Sequence, residues 1–188
     1  AVAILSALYE RRSHPPTPDD YREADAHSTP PDQRYRFLLR NLDDIVRELR
    51  SANPDIKIFV CTLVGLWPQG SAEAWRAMAV PWFVSRRKLA PAETARFVEE
   101  LNDQLRRFAA AHETRLIDLA AVFAPLDRTR LQWDFAHMYA DGYELMALCM
   151  FEAFRASGLI EGRATGRFEE LLSAYRLPAG AVAQSGVR

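Results

Sequence analysis

The sequence predicts an α/β fold in which a parallel sheet has helices on its faces. Two observations lead to this fold class: short apolar runs typical of buried strands, and longer amphipathic stretches that alternate with them. The chain has 188 residues, which is enough for one domain with a hydrophobic core. We therefore expect a single domain over residues 1–177 and a flexible tail at 178–188.

The first half of the chain alternates strand and helix. Residues 1–5 form a short apolar run typical of a strand, and residues 14–33 are rich in proline, aspartate and threonine, which predicts a long loop. Apolar residues at helical spacing predict an amphipathic helix over 35–50, ended by Asn53 and a proline. Residues 56–63 are almost continuously apolar, as in a strand covered on both faces.

The second half continues the alternation. Pro91 opens a second long helix, and residues 115–119 are predicted to form the next strand. A helix over 141–157 is expected to have Asp141 as its cap, and a last helix is expected near 165–175. The inward stripe of the helix that Pro91 opens comprises Phe97, Leu101, Leu105 and Phe108.

Composition excludes several classes of partner. The net charge of -1 gives no electrostatic reason to expect nucleic acid or an anionic membrane surface as a partner. No apolar run approaches the roughly 18–20 residues that span a bilayer.

Cys61 and Cys149 stand in apolar surroundings and are expected to be buried free thiols. The sequence does not predict the compartment or the oligomeric state.

A carboxylate and an imidazole stand three residues apart, just before a predicted helix. They are Asp134 and His137, and they follow the last predicted strand, where parallel sheets place their sites. In a nucleophile–base–orienter system, histidine takes the nucleophile's proton and aspartate holds the imidazole ring. An Asp-x-x-His pair alone is a weak signal, and His137 could instead be a structural histidine bonded to Asp134. Two ligands are too few for a zinc site.

The order of elements around this pair resembles the SGNH hydrolases, also called the GDSL esterase/lipase family. The resemblance covers about residues 35–157: a helix and strand ending near Leu63, a helix with Asn102 leading to the next strand, then Asp134-x-x-His137 followed by Gly142. It implies a three-layer α/β/α, flavodoxin-like fold. It also implies hydrolysis of an acyl or carbohydrate ester by a Ser-His-Asp mechanism without a cofactor, with His137 as base and Asp134 as orienter.

The family's nucleophile block has no counterpart here. None of the nine serines stands in a Gly-Asp-Ser setting, and the family's Gly-x-Asn-Asp block is replaced by residues 6–10, where Tyr9 could stand for the asparagine. We expect the chain to lack the first strands of the fold, which would lie upstream. The alternative is a catalytically dead relative that serves as a binding or assembly module. The polypeptide alone is expected not to turn over esters.

Three tryptophans follow the strand at 56–63, namely Trp67, Trp75 and Trp82. They could wall a pocket for an acyl or aryl group, or they could fasten a long connection, with a short helix near 72–79, to the domain. A flavodoxin-like nucleotide domain is a further alternative, but no glycine-rich phosphate loop is present.

Other polar residues have plainer predicted roles. Asn102 lies at the edge of an inward helical stripe and is expected to be a satisfied packing residue. Asp118 stands at a strand end and is expected to cap the next element rather than line the site. His14, His27 and His112 are expected to be solvated.

Overall fold

The computed structural model describes residues 35–64, 91–132, 137–162 and 166–178, with side chains in the second range described from Arg96 onward. The described elements, in chain order, are α1 (Arg36–Ala52), β1 (Phe59–Cys61), α2 (Pro91–Ala111), β2 (Arg115–Ile117), α3 (Leu119–Phe123), α4 (Ala140–Ala156) and α5 (Arg167–Ala174). This alternation confirms the α/β class. The elements predicted for 1–5, 14–33 and 72–79 lie outside the described residues, as does the tail from 179 onward.

Strands β1 and β2 pair in parallel in a two-stranded sheet. The Arg115 amide donates to the Ile58 carbonyl at 2.8 Å, and the Thr62 amide donates to the Ile117 carbonyl at 3.1 Å. Partners on both strands therefore advance in the same direction along the chain. The strand predicted over 56–63 is shorter than expected, and its middle residue Val60 is buried between half-buried neighbours.

The chain divides into two compact units, which are described separately. The first comprises Ala1–Val60 and Asp103–Leu116, and the second comprises Cys61–Asn102 and Ile117–Arg188.

In the first unit, α1 packs against the end of α2. The Arg50 guanidinium donates to the His112 carbonyl at 2.6 Å. The His112 ring stacks on Phe108 with 4.1 Å between ring centroids, and its Nδ1 lies 3.5 Å from Oδ1 of Asp43. The prediction that His112 is solvated is therefore wrong, because its ring is half-buried between an aromatic face and a carboxylate.

The core of the second unit joins α3, α4, α5 and the segment that connects α3 to α4. Its buried side chains are Phe123, Leu126, Leu131, Met138, Leu145 and Leu171. Truncating side chains of this kind costs roughly 2–5 kcal/mol, since both apolar burial and packing are lost.

Helix α5 is fastened to the first turn of α4 by polar side chains. Arg167 donates to Glu144 through Nε at 3.1 Å and through Nη2 at 2.9 Å. The Tyr175 hydroxyl donates to the Asp141 carboxylate. The prediction of Asp141 as the helix cap is wrong: the cap residue is Tyr139, and Asp141 lies inside the first turn, where these tertiary partners occupy its carboxylate.

The two cysteines are free thiols. Cys149 is buried as predicted, whereas Cys61 is only half-buried. Burial raises the pKa of the Cys61 thiol and raises that of Cys149 to about 11, so neither thiol is activated as a nucleophile. Among the described helices, none is both long and apolar enough to cross a membrane.

Candidate active site

Backbone contacts join the two ends of the loop at 133–137, the segment whose sequence contains the predicted catalytic pair. Gln132 and Met138 form an antiparallel bridge, and the Tyr139 amide donates to the Leu131 carbonyl at 2.8 Å. These contacts fix both ends of residues 133–137. His137, the last of the five, is exposed immediately before Met138. Asp134 lies outside the described residues.

Gly142 allows α4 to approach the base of this loop. A Cβ atom at this position would lie 2.5 Å from the Leu131 carbonyl oxygen and 3.0 Å from the Met138 Cβ. Neither atom is the end of a flexible side chain, so a larger residue would push the helix and the loop apart. The glycine therefore fixes the distance between the first turn of α4 and the loop that contains His137.

The loop rests on the buried core of the second unit. Leu131 and Met138, which flank it, are buried in the same cluster as Leu145 of α4. Because Leu131 and Met138 are buried, the core holds the backbone next to His137, while the His137 side chain is exposed. His137 is therefore an exposed imidazole next to a residue that the core holds in place.

Polar side chains also order the carboxyl end of the sheet. The Thr62 hydroxyl donates to Oδ1 of Asp118 at 2.9 Å and accepts from the Ala120 amide at 2.9 Å. Oδ1 of Asp118 also accepts from the Ala121 amide at 3.2 Å, which caps α3. The prediction of Asp118 as a cap is confirmed. The strand predicted to extend to residue 119 is wrong at its end, because Asp118 begins a helix there.

Asn102 binds the backbone that follows β1. Its Oδ1 accepts from the Leu63 amide at 2.8 Å, and its Nδ2 donates to the Leu63 carbonyl at 3.0 Å. The side chain is fully buried, so the prediction of a satisfied packing residue is confirmed. The sequence did not indicate that Asn102 would bond to the backbone that follows β1. The feature that could have suggested such a role is a polar residue beside an otherwise apolar helical stripe.

The structure thus brings His137, the core and the ordered sheet edge into one unit. Trp67, Trp75 and Trp82 lie outside the described residues, as do His14 and His27. Within the described ranges, no three histidine, cysteine or carboxylate side chains are grouped so that they could hold a metal ion.

Comparison with known families identifies a match over most of the chain. The profile of the GDSL-like Lipase/Acylhydrolase family matches residues 13–145, which is well over half of the chain. The match extends upstream of the region of resemblance noted from the sequence and includes both Asp134 and His137. Comparison with curated proteins gave no match. Comparison with solved structures gave none either.

Proposed function

The chain belongs to the GDSL-like lipase/acylhydrolase family, and we propose that it acts on an ester bond of a small-molecule substrate, with His137 as general base and Asp134 as its orienter. The observation that supports this proposal most is the closed loop at 133–137. It presents an exposed imidazole on a backbone fixed by the bridge between Gln132 and Met138.

In the proposed mechanism, Nε2 of His137 takes the proton of a serine hydroxyl as the oxygen attacks the ester carbonyl. The Asp134 carboxylate accepts from the Nδ1 proton, which fixes the tautomer and stabilises the imidazolium. The imidazolium gives the proton taken from the serine to the leaving oxygen, so that the alcohol departs and an acyl-serine remains. Water that loses a proton to the same imidazole then attacks the acyl carbon, and the proton returns to the serine oxygen as the acid is released. None of the nine serines stands in the setting that the family uses, so we propose that this polypeptide alone does not turn over esters.

The proposal also includes the arrangement of the sheet and the extent of the domain. We propose that β1 and β2 are adjacent strands of a three-layer α/β/α, flavodoxin-like sheet, and that residues 1–177 form one domain followed by a tail at 178–188. The parallel pairing of the two strands and the described helix α2 between them support this arrangement.

The proposal can be tested without a nucleophilic serine. Bromoacetone alkylates an accessible imidazole: the ring nitrogen forms a bond to carbon and bromide leaves. We expect His137 to react faster than His112, whose ring is half-buried against Phe108. We also expect Asp134→Asn to slow the reaction of His137, because the carboxylate no longer holds Nε2 in its basic form. Peptide mapping by mass spectrometry measures both rates.

Two results would contradict the proposal. If His137 reacts no faster than His112, or if Asp134→Asn leaves its rate unchanged, the two residues do not form a base–orienter pair. The chain would then be a binding or assembly module on the same scaffold. Turnover of p-nitrophenyl acetate that disappears in His137→Ala would instead contradict the claim that the polypeptide lacks its nucleophile.

A further inference from the structure

Tyr175, which follows α5, contacts both of the segments between which the loop at 133–137 lies. On the upstream side, the Tyr175 carbonyl accepts from the Asp127 amide at 2.7 Å. On the downstream side, the Tyr175 hydroxyl donates to the Asp141 carboxylate in the first turn of α4. One residue therefore joins the segment that leads into the loop to the segment that leaves it.

Further contacts fix the end of α5 to the upstream segment. Leu126 and Arg176 form an antiparallel bridge. The guanidinium carbon of Arg130 lies 4.6 Å from the centroid of the Tyr175 ring, and Nη1 of the same arginine donates to the Ala174 carbonyl at 3.2 Å. The chain at the end of α5 therefore moves together with the residues that lead into the loop.

The downstream contact reaches the loop through the first turn of α4. Asp141 precedes Gly142, where a Cβ atom would lie 2.5 Å from the Leu131 carbonyl oxygen and 3.0 Å from the Met138 Cβ. A contact this close leaves the turn little room to shift without displacing both residues that flank the loop. Met138 is the neighbour of His137, so a displacement of the turn is passed to the backbone beside the imidazole.

The bond between Tyr175 and Asp141 is of a strong type, since a hydrogen bond to a carboxylate exceeds one between neutral groups. The same bond raises the pKa of Tyr175, so its hydroxyl remains a donor at neutral pH. The family match ends at residue 145, so α5 and Tyr175 lie outside it and the match gives them no role. Catalysis is sensitive to small displacements of a general base, which gives such a bond a consequence beyond stability.

We propose that Tyr175 is a positioning residue for His137, because it holds together the two segments that flank the loop at 133–137. It acts through Asp127 and Asp141 and takes no part in the chemistry. The inference rests on the proposed role of His137 as general base, and it adds to that site a residue outside the family match.

Tyr175→Phe tests the inference, because it removes the hydroxyl and retains both the ring and the backbone contact. The first measurement is hydrogen exchange of the Tyr139 amide, which closes the loop by donating to the Leu131 carbonyl. The second is the rate at which bromoacetone alkylates His137. We expect exchange to become faster and alkylation to become about two- to tenfold slower. In an Asp134→Asn background, Tyr175→Phe should slow alkylation no further, because the imidazole is then no longer oriented.

Two variants serve as controls. Tyr143→Phe makes the same change at an exposed tyrosine in the first turns of α4 and should alter neither measurement. Gly158→Ala lowers stability in another way, since its φ of +69° strains an alanine while its Cβ would have nothing within 4 Å. We expect it to accelerate exchange throughout α4 and to leave the His137 rate unchanged, whereas Tyr175→Phe should accelerate exchange at Tyr139 selectively.

Variants of the acceptor provide an independent test that leaves Tyr175 intact. Asp141→Asn retains an oxygen that can accept from the Tyr175 hydroxyl, whereas Asp141→Ala retains none. We expect the His137 rate and the Tyr139 exchange of Asp141→Asn to lie closer to those of the wild-type chain. Equal effects of the two variants would contradict the inference.

The outcomes separate this inference from the proposed function. If Tyr175→Phe behaves like Tyr143→Phe in exchange, or if exchange becomes faster while the His137 rate is unchanged, the inference is wrong and the catalytic role stands. If bromoacetone does not select His137 over His112, or if Asp134→Asn does not slow the reaction, the proposed function is wrong and the inference fails with it.

Discussion

At the scale of single residues, two close contacts order the backbone of the second unit. Gly142 permits close contact with Leu131, and Asn102 binds Leu63. The sequence predicted Asn102 as a satisfied residue and Asp118 as a cap, because local spacing determines such roles. It could not predict the partner of Asn102, which is 39 residues away along the chain.

Gly142→Ala should destabilise the chain by about 1–3 kcal/mol, although alanine is the better helix former. The added Cβ would lie 2.5 Å from the Leu131 carbonyl, and backbone must move to relieve that contact. Urea unfolding followed by circular dichroism measures the change. Gly166→Ala is the control, since its Cβ would have nothing within 4 Å and should alter stability by less than about 0.5 kcal/mol. Equal effects at both positions would contradict the close approach of α4 to the loop.

At the scale of elements, helices were predicted more accurately than strands. The helix predicted over 35–50 is observed as Arg36–Ala52, and the helix predicted to open at Pro91 begins there. Apolar periodicity repeats over many turns and so defines a helix well. A strand ends where its ladder of hydrogen bonds ends, and at Leu63 the side chain of Asn102 takes the place of a ladder partner. A run of apolar residues in the sequence does not indicate where the ladder of hydrogen bonds ends.

The contact between Arg167 of α5 and Glu144 of α4 should make the stability of the chain depend on pH. Hydrogen bonding from Arg167 lowers the pKa of Glu144 below its ordinary value of 4.5. The stabilisation is therefore present at pH values above 4.5 and is lost as the pH falls through the lower, folded-state pKa. Arg167→Met should reduce the difference in urea midpoint between neutral pH and acid pH, but only modestly, because the pair is exposed.

Arg155→Met is the matched control for that measurement. Arg155 bonds to Glu152 within α4 alone, so its loss leaves the contact between the two helices intact. We expect the acid dependence of Arg155→Met to match that of the wild-type chain. If both variants change the acid dependence equally, the contact between Arg167 and Glu144 does not join α5 to α4.

At the scale of the whole molecule, much of the proposed function rests on residues that the sequence itself identified. Asp134 and His137 were recognisable because a carboxylate, an imidazole and a helix start occur in the family's order, and the family match includes both residues. The sequence could not show that the loop is closed by Gln132 and Met138, since this bridge depends on packing against distant core residues. Nor could it show that the side chain of Asn102 holds the Leu63 backbone.

Thiol reactivity should report the opening of the second unit. Burial raises the pKa of Cys149 from 9.0 to about 11, which lowers its thiolate fraction at pH 8 about a hundredfold. In a Cys61→Ala background, Ellman's reagent should therefore react with Cys149 only as fast as the unit unfolds. Increasing urea should accelerate the reaction in parallel with the loss of helix. Rapid reaction in the absence of urea would show that Cys149 and its core are open to solvent.

The most direct test of the central claim is the tautomer of His137, measured by ¹⁵N nuclear magnetic resonance at a pH where the ring is neutral. If Asp134 orients His137, the wild-type imidazole has its proton on Nδ1 alone, and Asp134→Asn gives a mixture of the two tautomers. The same tautomer distribution in both proteins would contradict the base–orienter pair and leave His137 as a structural histidine.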